Sequence, residues 1–466
     1  MQKHENGLFI FRRDFRIVDN IGLITANKEC KHIYCCFIFT PEQVTGANKY
    51  KSNNAVQFMI ESLEDLKTEI AKSGGELMCF YGKNRDIIAN LIKELDIHAV
   101  YYNRDYTPYA LERDKEIRNV CEKAEIEAVE TTDYYLHEPG TIKTGSQTYY
   151  KKYTPFQQAF MHMSEPEMPN TRTKITKFSK TTKSLPKKIS LEKAHETFVL
   201  PPNDKILVHG GRPNGLQRLR HALNTQSKYE DKRDTLTYET TFLSAYIKFG
   251  CVSVREVYHA VKRKFGKSSG IIRELIWREF FAHVLYAFPE VVGKSYQEKY
   301  RAIEWSKSKT AFDKWCAGKT GVPIVDAGMR QMNETGYMHN RVRMMTASFL
   351  VKTLLIDWRW GEQYFAKKLT DYDLASNNGN WQGISGTGVD MKPYFRDMNP
   401  YIQTNKFDSD AEYVKKWVPE LKDVPPADIH NWFKSHDKHK DKSYPKPMVD
   451  YDSQKQKMLE MYRKHS

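Results

Sequence analysis

Several classes of protein are excluded by what the sequence lacks. No run approaches the roughly 18 uninterrupted apolar residues of a membrane helix, and the first six residues have no apolar signal-peptide core. The seven cysteines form no CxxC pair, which argues against a zinc site or a disulfide framework. We therefore predict a soluble intracellular protein, in the cytoplasm or the nucleus, that binds no metal and no membrane.

Tryptophan is confined to the later part of the chain, and acidic residues are fewer than basic ones. No tryptophan precedes Trp277, although the chain has eight, so the two halves of these 466 residues are built differently. The length predicts two or three domains. Lys and Arg number 73 against 58 Asp and Glu, a net charge of +15. That charge suits a polyanion or an anionic membrane surface, although a general lysine bias would also produce it.

Strand and helix patterns largely alternate in the first half. Apolar runs rich in β-branched and aromatic residues predict strands at 8–11, 32–40, 76–82, 98–106 and 126–135. Helical patterns lie between them at 55–72, 85–96 and 111–124. This order predicts an α/β domain with an open parallel sheet and helices on both faces. No GxGxxG follows the first strand, so the standard dinucleotide fingerprint is missing.

The middle of the chain has weaker periodicity. Between Thr171 and Ser190 there are seven Lys or Arg and no acid, which is typical of an exposed basic connector. This stretch could also touch a nucleic-acid backbone. Helical patterns dominate afterwards. We predict an α/β domain over residues 1–135, a connector over 136–210 and an all-helical domain over 211–466.

Residues 271–281, IIRELIWREFF, place four functional side chains on one helical face. Glu274, Trp277, Arg278 and Phe281 are spaced i, i+3, i+4 and i+7. Together they could stack a base, hold a phosphate and hydrogen-bond a polar edge. A surface salt-bridge row with packed aromatics gives the same pattern, and the segment alone favours that simpler interpretation.

The GKTG segment at 318–321 is not a phosphate loop, because Asp313 stands where that motif needs glycine. Further on, Arg341 and Arg343 would leave one helix in different directions. One could therefore reach a phosphate while the other pairs with a buried acid. His339 beside them is more simply interpreted as a structural histidine than as a ligand.

Polar groups crowd two other segments of the second half. In DYDLASNNGNWQ, residues 371–382, two carboxylates and several carboxamides precede an indole. Such groups can read the polar edge of a heterocycle such as a flavin, although Asx residues are also ordinary turn formers. The YETTFLS segment at 238–244 offers hydroxyls near a helix start, where free backbone N–H groups bind phosphate.

Taken in order, these segments closely resemble the photolyase/cryptochrome family of blue-light flavoproteins, and most of all its class I cyclobutane-dimer photolyases. The resemblance rests on ETTFLS, ELIWREFF, KTGVPIVDAGMRQMNETGYMHNRVRM, WRWGEQYF, DYDLASNNGNWQ and PYFRDMNP, with FRRDFRIVDN similar to the family's opening segment. It extends from about Leu8 to Val424. It implies an N-terminal α/β domain, a long connector and a helical domain that buries bent FAD.

The resemblance also implies roles for individual residues. Arg343 would pair with Asp371, and Asn377 would face flavin N5. The FAD-binding set would be Tyr229, Thr240, Thr241, Phe242, Leu243, Ser244, Arg343, Asp371, Tyr372, Asp373 and Asn377. An electron-transfer chain from the flavin to the surface would consist of Trp381, Trp358 and Trp305.

For repair, the substrate must leave the duplex stack to meet the flavin. The resemblance implies that Trp277 stacks on the flipped dimer and that Glu274 hydrogen-bonds a base edge. The catalytic set would be Glu274, Trp277, Asn340 and Met344. Contacts with ultraviolet-damaged DNA would come from Arg233, Glu274, Trp277, Arg278, Phe281, Asn340, Arg341, Arg343, Arg396 and Gln403. The implied activity is electron injection from excited reduced flavin into the dimer, by a monomer.

Departures from the family pattern bear on lesion and pigment. The (6-4) photolyases carry histidines at the places of Asn340 and Met344, so the residues here favour the cyclobutane lesion. Close relatives have tryptophan at the position of Gly383, which leaves one wall of the cavity missing. The best-known folate sites use a polar pair where this chain has Tyr109 and Ala110. The antenna pigment, methenyltetrahydrofolate, 8-hydroxy-5-deazaflavin or none, stays open.

Three alternatives to dimer repair also stay open: a cryptochrome blue-light photoreceptor, a (6-4) photolyase and a non-catalytic DNA-binding flavoprotein. Signalling cryptochromes often carry a long C-terminal extension. Only about 40 residues follow Val424 here, which favours repair.

Overall fold

A parallel sheet forms the first part of the computed structural model, which describes residues 3–390 and 393–465. Its strands are β1 His4–Phe11, β2 Cys30–Phe39, β3 Leu77–Tyr81, β4 Ala99–Asn103 and β5 Glu127–Thr131. They lie in the order β3-β2-β1-β4-β5, and every neighbouring pair is parallel. The predicted open parallel sheet is confirmed.

Helices pack on both faces of this sheet. They are α1 Ile21–Glu29, α2 Pro41–Val44, α3 Asn53–Lys72, α4 Asn84–Leu95 and α5 Pro108–Lys123. Residues alternate along β1, so that Phe9 joins one core and Leu8 the core on the opposite face. No helix was predicted at α1, because its buried residues Leu23 and Ala26 form only a weak helical stripe.

The predicted connector, residues 136–210, is tied to the sheet. It contains α6 Tyr153–His162 and α7 Leu191–Phe198. The Ile33 N–H donates to the Lys177 carbonyl at 2.8 Å, and the Ile189 N–H donates to the Cys79 carbonyl at 2.9 Å. Backbone from residues 177–189 therefore pairs with β2 and β3, while most of its lysine side chains stay exposed.

The rest of the described chain is helical, as predicted. Its α-helices are α8 Arg212–Thr225, α9 Tyr229–Lys232, α10 Ser244–Lys248, α11 Val254–Phe265, α12 Gly270–Ala287, α13 Lys309–Cys316, α14 Pro323–Thr335, α15 Asn340–Ser348, α16 Trp358–Lys368, α17 Leu374–Ser385, α18 Pro400–Phe407, α19 Glu412–Trp417, α20 Pro426–His430, α21 Trp432–Ser435 and α22 Tyr451–Arg463. Trp315, Trp358 and Met329 lie in a second core among these helices. Across the described residues, no helix combines the length and apolarity needed to cross a bilayer.

Candidate functional site

Arg13 is one of the residues that join the carboxyl edge of the sheet to the helical part. Arg13 follows β1 and Asp105 follows β4, at the point where the strand order reverses, which is where ligands of open α/β sheets gather. Arg13 donates through Nη1 to Asp105 at 3.3 Å and through Nη2 to Asp373 at 3.1 Å. The sequence analysis did not assign Arg13 to the site, although it lies in the FRRDFR segment.

Helix α12 is one wall of the site, with a side-chain cap at its start and a close contact with α17 further along. Ser269 caps its start by accepting the Ile272 N–H at 3.4 Å. Gly379 lets α17 approach closely, since a Cβ there would lie 2.1 Å from the Phe281 ring. The predicted face of Glu274, Trp277, Arg278 and Phe281 therefore borders space rather than bulk solvent.

An inner cavity of about 260 Å³ lies between α10, α12, α15 and α17. Hydroxyls, carboxylates, an amide and a guanidinium border it. Nine of the residues predicted to bind FAD line this cavity: Tyr229, Thr241, Leu243, Ser244, Arg343, Asp371, Tyr372, Asp373 and Asn377. Thr240 and Phe242 contact Tyr337 instead, through a hydroxyl pair at 3.2 Å and a T-shaped ring contact.

The two carboxylates of the inner cavity are held by different partners. Asp371 accepts from Arg343 at 3.0 Å and from the Ser244 hydroxyl at 2.7 Å. The pairing of Arg343 with Asp371 implied by the sequence is present. Burial raises the pKa of Asp373, but Arg13 and Arg278 outweigh it and bring that pKa to about 2. The Asp373 carboxylate is therefore an anionic acceptor for N–H groups at neutral pH.

Two further cations face the inner cavity. Burial lowers the pKa of Lys248 to about 8. Arg278 stacks its guanidinium over the Tyr135 ring at 4.5 Å. Its Nη2 is buried and has no hydrogen-bond partner among the described residues. An acceptor supplied by a ligand would satisfy that atom, and Arg278 borders the inner cavity. Its predicted contact with a DNA phosphate stays a prediction.

The backbone carbonyl of Glu362 supports the asparagine predicted to face flavin N5. The Asn377 side-chain amide donates to the Glu362 carbonyl at 3.1 Å. Burial raises the pKa of the Glu362 carboxyl to about 7, against the opposing hydrogen bond from Asn378. The orientation of Asn377 is therefore set by a residue of the WRWGEQYF segment.

An outer cavity of about 340 Å³ opens beside the inner one. Its walls include seven residues predicted for the lesion or for DNA: Arg233, Glu274, Trp277, Phe281, Asn340, Arg341 and Met344. Glu274 forms an ion pair with Arg233 and keeps 38% of its side chain exposed. Its pKa is raised by burial, although Arg233 opposes the shift. The outer cavity therefore offers an acid, an amide, a thioether and an indole.

The two cavities share a wall. Both are bordered by Glu274, Asn340, Met344, Asn380 and Ile384. A ligand in the inner cavity and one in the outer cavity would therefore be separated by single side chains.

Three predicted DNA contacts are either paired within the protein or lie outside both cavities. Arg341 is balanced by Asp234, to which it donates through Nε at 3.2 Å and through Nη2. Arg396 is exposed and Gln403 is half-buried on α18, and neither borders the two cavities. Asp234 was not singled out by the sequence analysis, because its pairing depends on a residue more than a hundred positions away.

Two simpler interpretations of the sequence are supported by the structure. His339 is buried and accepts the Arg341 N–H through Nδ1 at 3.2 Å, so it caps the start of α15. The GKTG segment folds around the Asp326 carboxylate, which accepts the Thr320 and Gly321 N–H groups at 2.8 and 2.9 Å. The Asp326 carboxylate is therefore occupied by its own loop, whereas the buried Nε2 of His339 has no hydrogen-bond partner among the described residues.

The three tryptophans of the predicted electron-transfer chain differ in burial. Trp381 is 2% exposed, borders the inner cavity and meets the Phe365 ring at 4.9 Å. Trp358 is fully buried. Trp305 is half-buried and packs between two hydrophobic clusters near Tyr462. Trp381 is therefore the member of the three that borders the inner cavity, and Trp305 is the most exposed of them.

The connector anchors α12 through a fully buried acid. The Glu279 carboxylate accepts the Leu136 N–H at 3.1 Å and the His137 N–H at 3.2 Å. Burial raises the pKa of Glu279 to about 7, although Arg278 and these two N–H groups oppose the shift. An unfolded glutamate titrates near about 4.3.

Between these two values the folded protein binds more protons than the unfolded chain, so its stability falls as the pH rises. We expect the wild type to lose on the order of 3 kcal/mol relative to Glu279→Gln between about pH 5 and about pH 8. Urea unfolding of both proteins at each pH measures this. Parallel pH profiles would show that Glu279 does not titrate in this way.

The cleft beyond β1 and β2 does not fit an antenna pigment as its side chains stand. Arg12, Thr40, Tyr109 and Arg113 help to line a cavity of about 40 Å³, which suffices for a few water molecules. The Thr40 and Tyr109 hydroxyls lie 2.9 Å apart across it. A folate or deazaflavin ring does not fit in this cavity.

Two family models match this chain. The model described as DNA photolyase matches residues 8–173, and the model described as the FAD binding domain of DNA photolyase matches residues 271–464. A deoxyribodipyrimidine photo-lyase from a Synechococcus species is 34% identical over 435 residues, which cover 91% of this chain and 89% of that protein.

Solved structures agree. An archaeal photolyase from Sulfolobus tokodaii, crystallised with two FAD molecules, matches with a TM-score of 0.86 and 38% identity, over 98% of this chain and all of that one. A cryptochrome from Synechocystis sp. PCC6803 matches with a TM-score of 0.88 and 26% identity, over 99% of this chain and all of that one. Because both classes share the fold, the side chains of the two cavities must distinguish repair from signalling.

Proposed function

This chain belongs to the DNA photolyase family, and we propose that it is a deoxyribodipyrimidine photo-lyase that uses light to split cyclobutane pyrimidine dimers in ultraviolet-damaged DNA. The observation that carries the proposal is the wall of Glu274, Asn340, Met344, Asn380 and Ile384 common to both cavities. A cofactor in one cavity and a flipped dimer in the other would lie within reach of direct electron transfer.

FAD fits the inner cavity by the chemistry of its walls. Thr241 and Ser244 present hydroxyls at the start of α10, where phosphates bind. Asp371 and Asp373 would accept from ring N–H groups of FAD, and the unpartnered Arg278 Nη2 would donate to one of its acceptors. Bound and reduced FAD supplies the light-excited electron that opens the cyclobutane ring and takes it back afterwards.

The outer cavity supplies lesion recognition. The uncovered part of Trp277 stacks on the extruded pyrimidine dimer, as aromatic side chains do on unstacked bases. Glu274 hydrogen-bonds a base edge, and Arg233 keeps that carboxylate oriented in the free protein. Asn340 and Met344 fill the positions at which (6-4) photolyases have histidine, which favours the cyclobutane lesion.

Gly383 leaves space on the opposite side of the outer cavity. A Cβ at this glycine would meet no heavy atom within 4 Å. We expect Gly383→Trp to bind a dimer-containing oligonucleotide about tenfold more tightly, because stacking of one base on an aromatic ring contributes roughly 1–3 kcal/mol. Fluorescence anisotropy at fixed salt measures the affinity, with undamaged oligonucleotide as the control. An equal gain for both oligonucleotides would show that the new indole does not contact the lesion.

The proposed activity is tested with oligonucleotides that carry one defined lesion. The FAD-loaded, reduced protein is illuminated with blue light, and a matched sample is kept in the dark. We expect light-dependent loss of cyclobutane dimers and no loss of (6-4) photoproducts. Loss of (6-4) photoproducts alone would assign the other repair activity. Unchanged lesions together with efficient photoreduction of FAD would favour the photoreceptor.

Two finer properties belong to the same proposal. As a monomer the protein would supply the walls of both cavities from its own residues. It works in the cytoplasm or the nucleus, where ultraviolet-damaged DNA and reduced thiols are found together.

A further inference from the structure

The indole of Trp277 is not held by the helical part alone. Tyr153, the first residue of α6 in the connector, lies flat against it, with ring centroids 3.5 Å apart and planes inclined by only 3°. The rest of the indole borders the outer cavity. One face of the residue that stacks on the lesion is thus covered by a tyrosine that the sequence analysis did not single out.

Tyr153 is itself fixed from several directions. It is 6% exposed, and its hydroxyl donates to the Arg273 carbonyl at 3.1 Å, one turn before Trp277 on α12. Its backbone N–H donates to the Asp390 carboxylate at 3.0 Å, and Asp390 lines the outer cavity. Aromatic rings prefer offset or edge-on contact to full overlap. These two hydrogen bonds explain why the rings nevertheless lie face to face.

We propose that Tyr153 is a positioning residue for lesion recognition: it holds the Trp277 indole at one angle and joins α12 to the opposite wall of the outer cavity. This inference rests on the proposed function. Because Gly383 provides no second aromatic wall, dimer binding depends on the orientation of a single indole. A tyrosine that only filled space would influence stability but not the discrimination between damaged and undamaged DNA.

The test uses full-length protein loaded with FAD and two substitutions. Tyr153→Leu removes the ring but fills much of its volume, and Tyr153→Phe keeps the ring and loses only the hydroxyl. We expect Tyr153→Leu to lower the affinity for dimer-containing oligonucleotide about fivefold, within the range measured for aromatic pairs. FAD content and affinity for undamaged oligonucleotide should stay as in the wild type, and Tyr153→Phe should recover most of the loss.

A double-mutant cycle with Trp277→Ala separates positioning from general packing. If Tyr153 acts through the indole, Tyr153→Leu costs no further affinity once Trp277 is gone. An equal cost in both backgrounds, or an equal loss for undamaged oligonucleotide, would overturn the inference. Should Tyr153→Leu fail to fold, Tyr153→His, which retains a smaller flat ring, enters the same cycle. Failure of the wild type to repair dimers would instead refute the proposed function.

Discussion

Replacing Trp381 with phenylalanine is expected to reduce photoreduction of oxidised, protein-bound FAD to the background of the illuminated solution. Among the described residues, Trp381 is the one tryptophan that borders the inner cavity. Phenylalanine keeps an aromatic ring against Phe365 but is a far poorer electron donor than indole. The absorbance of FAD under blue light, with a thiol reductant present, measures the rate.

The same variant separates two roles of the site. When its flavin is chemically reduced beforehand, Trp381→Phe should still repair dimers, because lesion contacts come from the outer cavity. Trp417→Phe is the matched control, since Trp417 ends α19 and borders neither cavity. Photoreduction at the wild-type rate in Trp381→Phe would remove Trp381 from the electron-transfer chain.

Glu274→Ala is expected to lower the repair rate about tenfold or more while FAD stays bound, because a hydrogen bond to a charged group contributes roughly 1.5–3 kcal/mol. Glu274 lies in the shared wall, where its carboxylate reaches the outer cavity. Repair is measured as dimers lost per unit of light with DNA in excess. The substitution leaves Arg233 without its carboxylate partner, so binding to undamaged DNA should become tighter. Weaker general binding to DNA would then not explain the slower repair.

Glu230 offers a control for this substitution. Glu230 lies on α9 and forms an ion pair at 2.8 Å with Arg273, which is on α12 like Glu274. The Glu230 side chain is largely exposed and borders neither cavity. Glu230→Ala removes the same charge from the same neighbourhood and should repair at the wild-type rate. A wild-type rate in Glu274→Ala would reject the proposed role of that acid.

Local patterns predicted much of this molecule. The parallel sheet follows from short buried strands alternating with helices, and the face shared by Glu274, Trp277 and Phe281 follows from helical spacing alone. Strand ends were placed too late: the predictions 98–106 and 126–135 extended past Asn103 and Thr131, because aromatic residues after a strand look like its continuation.

The contacts that define the site are mostly long-range and left no local signal. Arg13 bonds Asp373 across 360 positions, and Tyr153 stacks on Trp277 from a different segment. Neither pair is visible in a window of sequence, because the first is created by packing of the sheet edge against the start of α17 and the second by packing of the connector on α12. Arg278 lies on the predicted helix face, but only the packing of Tyr135 shows that it turns toward the inner cavity.

Electron transfer from the inner cavity to a ligand in the outer cavity is tested most directly by the fluorescence lifetime of the reduced, protein-bound flavin. The lifetime is compared without DNA, with undamaged oligonucleotide and with an oligonucleotide that carries one cyclobutane dimer, each at saturation. We predict a marked shortening with the dimer alone. A lifetime that stays the same when the dimer is bound would contradict electron transfer across the shared wall.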